Sequence, residues 1–214
     1  MLPREWDDTL YEIAEGQFGY FTAAQARAAG VLQVRLVQLH KSGDIERVSR
    51  GVYRLSRFPI SPIAQYMEAS LWPQVRRPDV RGVISHDSAL VVYGLSDVSP
   101  AKIHLTLPLD MRVRRMVPRH MVLHYADLAS ADVRQIAGGI PATTPERTIR
   151  DVHAAHIGPA LVRQAIEDGR RTGRLSLDTA DRLERELLAV EPRTAHGTEE
   201  AGKRTRGNTA RARR

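Results

Sequence analysis

The stretch TAAQARAAGVLQVRLVQLHKSGDIERVSRGVYRL, residues 22–55, decides the fold. Thr22 with Gln25 three residues on has the spacing of a capping box, ahead of a short alanine-rich helix that runs to Ala29 and ends at Gly30. Leu32 to Ser42 predicts a further helix, closed by Gly43. At about 100° per residue, Leu32, Leu36 and Leu39 share one face, which is expected to pack on Ala26 and Ile13. Ile45, Val48, Val52 and Leu55 then recur in short β-prone runs around Ser49-Arg50-Gly51, the pattern of a two-stranded hairpin. Upstream, residues 6–16 read as an amphipathic helix with Trp6, Leu10, Ile13 and Ala14 on one face. Asp7 and Asp8 suit its positive N-terminal end. Three helices and a hairpin predict a winged helix-turn-helix domain over residues 1–58.

That architecture sets its last helix in the major groove of DNA. The face opposite the leucines carries Val34, Val37, Gln38 and Lys41, flanked by Gln33 and Arg35. Glutamine pairs with adenine in two-point fashion, arginine and lysine read guanine or hold phosphate, and valine meets a thymine methyl. The wing adds Arg47, Arg50 and Arg54, placed for phosphates or the minor groove. Double-stranded operator DNA with repeated half-sites is the expected partner.

Global charge is weaker support. The net charge is +7, but residues 1–58 hold 8 basic and 7 acidic groups and residues 193–214 hold 7 and 2, so most of the excess sits in the tail. Residues 25–58, with 7 basic against 2 acidic, carry the local signal. The chain has no cysteine, which excludes disulfides and thiolate metal sites. No apolar run approaches the length of a membrane span, and no signal peptide is visible after Met1, so a cytoplasmic protein is expected.

Residues 59–192 read as a second, α/β unit. Helices are expected at about 62–72, 85–93, 145–154, 159–171 and 176–190, and strands at 83–84, 103–107 and 121–125. Thr144 caps and Pro145 takes the first helical position at the first of the late helices. Residues 193–214 have almost no large apolar group and are expected to be a disordered basic tail. The fold class is therefore mixed α/β (α+β), in two domains and a tail.

The segment GDIERVSRGVYRL at 43–55 resembles the wing of the AbiEi family of antitoxin–transcriptional regulators. VISHDSALVVYGL at 83–95, SDVSPAKIHLTLP at 96–108, Arg114-Arg115, VLHYADL at 122–128 and GGIPATTPERTIRDV at 138–152 resemble that family in the expected order. The resemblance implies a bacterial antitoxin whose winged helix represses the shared promoter. It also implies a C-terminal domain that counteracts a nucleotidyltransferase-like toxin, with a direct complex left open. Arg114, Arg115, Arg147 and Arg150 are the candidate residues for that action, although Arg147 and Asp151 also have the spacing of a helical ion pair. A stand-alone transcription factor with a ligand-sensing second domain, and an enzyme that modifies the toxin or a nucleotide, are the alternatives.

Enzymatic motifs are not evident. Lysine occurs only at 41, 102 and 203, none in a nuclease-type acidic-x-Lys arrangement, and no phosphate loop or nucleophile elbow is present. His120 and His124 fall on one strand face about 13 Å apart, too far for one ion. His86 and Asp87 diverge on a helix and are expected to make structural hydrogen bonds. No catalytic residue, cofactor or metal is assigned from sequence.

Overall fold

The N-terminal elements follow from local caps and one apolar seam. In the computed structural model they run α1 (Glu5–Glu15), β1 (Tyr20–Thr22), α2 (Ala23–Ala28), α3 (Gln33–Ser42), β2 (Ile45–Ser49) and β3 (Val52–Leu55). The structure describes residues 5–111, 113–156 and 158–188, with side chains from Asp8 onward, so the expectations for Trp6, Asp7 and the basic tail lie outside the described residues. Both halves of the capping box form: Gln25 N donates to Thr22 Oγ1 at 3.1 Å and Thr22 N donates to Gln25 Oε1 at 2.8 Å. Gly43 closes α3 with φ +80°, a left-handed turn that favours glycine.

Leu36 and Leu39 bury against Leu10, Ala14, Phe21, Ala26, Val31, Ile45 and Tyr53, with Ile13 packed alongside. Leu32 departs from the expected seam. It is the extended residue before α3 (φ −70°, ψ 148°), and it is 68% exposed. The helical face cannot be extended through a residue that is not helical; Val31 fills that corner of the core instead. The wing is also larger than a hairpin. β1 joins it, giving an antiparallel sheet in the order β1-β3-β2, with an irregularity between Arg47 and Ser49.

The second half contains α4 (Ala64–Leu71), a 3₁₀ turn (Trp72–Val75), β4 (Val83–Ile84), α5 (His86–Tyr93), β5 (Ile103–Leu107) and β6 (Met121–Tyr125). It continues through β7 (Val133–Ile136), β8 (Ile140–Thr143), α6 (Pro145–Ala154), α7 (Pro159–Arg171) and α8 (Leu177–Leu188). The five strands order as β6-β5-β4-β8-β7. β5–β6 and β4–β8 are parallel; β4–β5 and β7–β8 are antiparallel. The described residues thus form eight α-helices and two sheets, a mixed α/β fold. Thr144 caps α6, accepting from Arg147 N at 3.4 Å with Pro145 at the start. Ser85 precedes α5 but makes no capping bond; its hydroxyl accepts from Thr106 Oγ1 at 2.8 Å instead.

The larger core crosses between the two halves. Tyr20 and Val52 from the small sheet pack in one cluster with Met67, Trp72, Leu90 and Leu105. Arg81 donates to Gln17 Oε1 at 2.6 Å and to Gly139 O at 2.9 Å. The wing turn lies against the 3₁₀ turn: a Cβ at Gly51 would fall 2.9 Å from Val75.

Candidate nucleic-acid interface

Burial of Leu36 and Leu39 fixes the rotation of α3, so the residues between them face outward. Gln33, Val34, Val37, Gln38 and Lys41 are all exposed, and Arg35 is half-buried. Val34 is 61% and Val37 44% exposed, two β-branched apolar groups on an otherwise polar face. Arg35 donates to Gln38 Oε1 at 2.9 Å, which fixes both side chains next to each other. With Leu32, this face forms a shallow hollow of about 430 Å³ bounded by Thr9, Gly30, Val34, Arg35 and Gln38.

The wing arginines divide. Arg47 and Arg50 are exposed. Arg54 is only 8% exposed and points back into the protein, donating to Phe58 O and Pro59 O, with its guanidinium 6.0 Å from the Tyr20 ring centre. It is therefore removed from the DNA-facing set. β3 is the central strand of its sheet, and Val52, Tyr53 and Arg54 are buried in succession.

A basic cluster adjoins the wing; it joins Arg114 and Arg115, which the resemblance marked for antitoxin action, to Arg76 and Arg77, which the sequence did not single out. Arg76, Arg77, Arg114 and Arg115, with Met111 and Val113, line a hollow of about 380 Å³. Arg115 lies 3.6 Å over the Trp72 ring and donates to Trp72 O. Burial, and then the positive charges of Arg76 and Arg50, lower its pKa to about 10. The influence of Arg50 ties this cluster to the wing turn. Arg114 is exposed at its rim. Arg77 is bonded to Asp79 and Asp110.

Arg147 and Arg150 are engaged within the fold. Arg147 pairs with Asp151 and Asp132, both at 2.8 Å. Arg150 pairs with Glu186 at 2.8 Å and Glu146 at 3.1 Å, and Glu146 also accepts from Arg182 at 2.9 Å. These bonds clamp α6 to the turn before β7 and to α8.

Three histidines meet where α5 approaches the β5–β6 pair of the five-stranded sheet. His124 Nε2 lies 3.1 Å from His104 Nδ1, and the His86 and His124 rings stack with centres 3.6 Å apart. His86 Nδ1 lies 3.0 Å from Ser85 Oγ. The pair weighed in the sequence, His120 with His124, is not the pair that the fold joins. His120 is adjacent in the strand direction, whereas His104 comes from the neighbouring strand, with Thr106 opposite His124. Strand pairing was the missing information.

Residues 8–56, which span α1 to β3, match the family described as "Transcriptional regulator, AbiEi antitoxin". The resemblance noted at the wing thus holds for the N-terminal unit. The chain is similar in fold to the RV2827C protein from Mycobacterium tuberculosis, whose crystal structure aligns with a TM-score of 0.52 and 18% identity. That alignment covers 86% of this chain and 72% of the other. No curated protein matches the chain.

Proposed function

We propose that the chain is a DNA-binding antitoxin that represses its own operon and counteracts a nucleotidyltransferase-like toxin. The observation that carries the DNA-binding half is the outer face of α3, which exposes Val34 and Val37 among Gln33, Gln38 and Lys41. Solvent alone gives no reason to expose two valines there. The thymine methyl and the base-edge acceptors of a major groove match that mixture. Arg47 and Arg50 then meet phosphates beside the recognition helix, and the Arg76–Arg114–Arg115 cluster extends the same positive surface. The family match over residues 8–56 supports the regulatory role and, more generally, an antitoxin.

Fluorescence anisotropy with DNA from upstream of the operon tests this reading. Gln38→Ala and Lys41→Ala are each expected to weaken operator binding about tenfold, the lower part of the range for a base contact. Unchanged affinity and unchanged sequence preference in both variants would overturn the assignment of the α3 face. For the other half, co-expression with a nucleotidyltransferase-like toxin encoded beside the chain is the test, and the chain is expected to restore growth. Failure of rescue by a chain that still binds its operator would sink the antitoxin role and leave the repressor.

A further inference from the structure

We propose that His86, His104 and His124 hold one zinc ion through three neutral imidazole nitrogens, with a fourth position open to water or an anionic ligand. The three side chains each offer one nitrogen, and these nitrogens all lie within 4.8 Å of one another. Two ligands at about 2.0–2.1 Å on a tetrahedral zinc stand about 3.4 Å apart. The His104 Nδ1 to His124 Nε2 separation of 3.1 Å is already close to that spacing. Modest ring rotations at His86 complete the set, opening its stack on His124.

The site is built by three elements that the fold holds rigidly. His104 and His124 come from the parallel pair β5–β6, and His86 opens α5. The Ser85 hydroxyl, itself bonded by Thr106, sits at His86 Nδ1 and orients that ring, the role an outer-shell partner plays at metal-bound histidines. Ser88 Oγ accepts from His104 N at 2.9 Å, fixing β5 to α5. His86 has φ +52°, a left-handed conformation rare for a side chain of this size. Such strain collects at sites whose geometry has a use. Asp87, the next residue, has a buried Oδ1 without a hydrogen-bond partner among the described residues. An ion beside it would balance that carboxylate.

Full-length, tag-free protein, stripped by a chelator, is titrated with Co²⁺ and then Zn²⁺. The expected result is the visible spectrum of tetrahedral cobalt at one ion per chain, bleached by zinc, with a zinc-dependent rise in unfolding temperature. His104→Gln and His124→Gln should lose both signals, while His40→Gln and His153→Gln keep them. No tetrahedral cobalt spectrum, or the same spectrum in His104→Gln and His124→Gln, overturns the proposal. Should those variants fail to fold, carbethoxylation of the wild-type chain decides. Zinc must protect His104 and His124 while His40 and His153 react as before; equal labelling with and without zinc also overturns it.

Discussion

Arg54 and Arg50 are four residues apart in one hairpin and do different work. Arg54 sends its guanidinium to two backbone carbonyls at Phe58 and Pro59. Arg54→Ala is expected to lower stability by about 1–3 kcal/mol in urea unfolding, because it leaves buried acceptors unpaired. The salt dependence of DNA binding should not change. Arg50→Ala should do the reverse, leaving the urea midpoint in place and reducing the slope of log affinity against log salt by about 0.9. The exposure of Arg50 was legible because it stands in the Ser49-Arg50-Gly51 turn of the hairpin. The inward aim of Arg54 was not, because it depends on β1, three residues whose pairing with β3 makes that strand central. Glu68 gives a pH prediction of similar resolution. Burial holds its carboxyl above the ordinary range, with the charge of His120 opposing. The folded state therefore keeps a proton that the unfolded state releases, and stability falls as pH rises from the unfolded value through the raised one. Glu68→Gln should raise the urea midpoint at about pH 7 and lose that advantage at about pH 4. A gain that persists in acid would mean the side chain acts by packing and not by charge.

Helix ends were readable because their signals are local. Thr22 with Gln25, Gly43 after Ser42, and Thr144 before Pro145 each act within four residues, and each stands where its spacing placed it. β1 and β7 were not readable. Three and four residues are too few to show alternation; β1 forms because the distant β3 pairs with it, and β7 because β8 folds back on it across the short 137–139 link. The histidine cluster escaped for the same reason, since it is made by the register of β5 on β6 and the approach of α5. The α6 arginines show how an element can look like a binding face and be a clamp. Arg147 holds Asp132 before β7 and Asp151 one turn along its own helix. Arg147→Met is expected to cost about 1.5–3 kcal/mol, the range for hydrogen bonds to charged groups. It should reduce toxin rescue only as far as it reduces the folded fraction. Rescue lost at full stability would instead place Arg147 against the toxin or its nucleotide.

Helix α3 and the α/β half are not beads on a string. Tyr20 and Val52 sit in the same core as Met67 and Trp72, and Arg81 links Gln17 to Gly139 across the junction. A boundary near residue 58 separates two sequence patterns, and the N-terminal half keeps a small core of its own, but the larger core is shared, and we propose that the two parts unfold together. Gly138 tests this. Its φ is +68°, and a Cβ there would fall 2.2 Å from Phe18 Cε2, a ring of the N-terminal half. Gly138→Ala forces that ring aside, with an overpacking cost of about 1–3 kcal/mol added to the backbone penalty. Wild-type protein is expected to show one calorimetric transition. In the variant, that transition should move to lower temperature or divide, while a protease cuts faster between residues 56 and 63. Operator affinity of the folded variant should stay close to wild type, because Phe18 packs against the larger core and not against the small one that holds Leu36 and Leu39 of α3. Two well-separated transitions in the wild-type chain, with Gly138→Ala shifting only the one that reports on the α/β half, would show that the shared core contributes nothing to joining them.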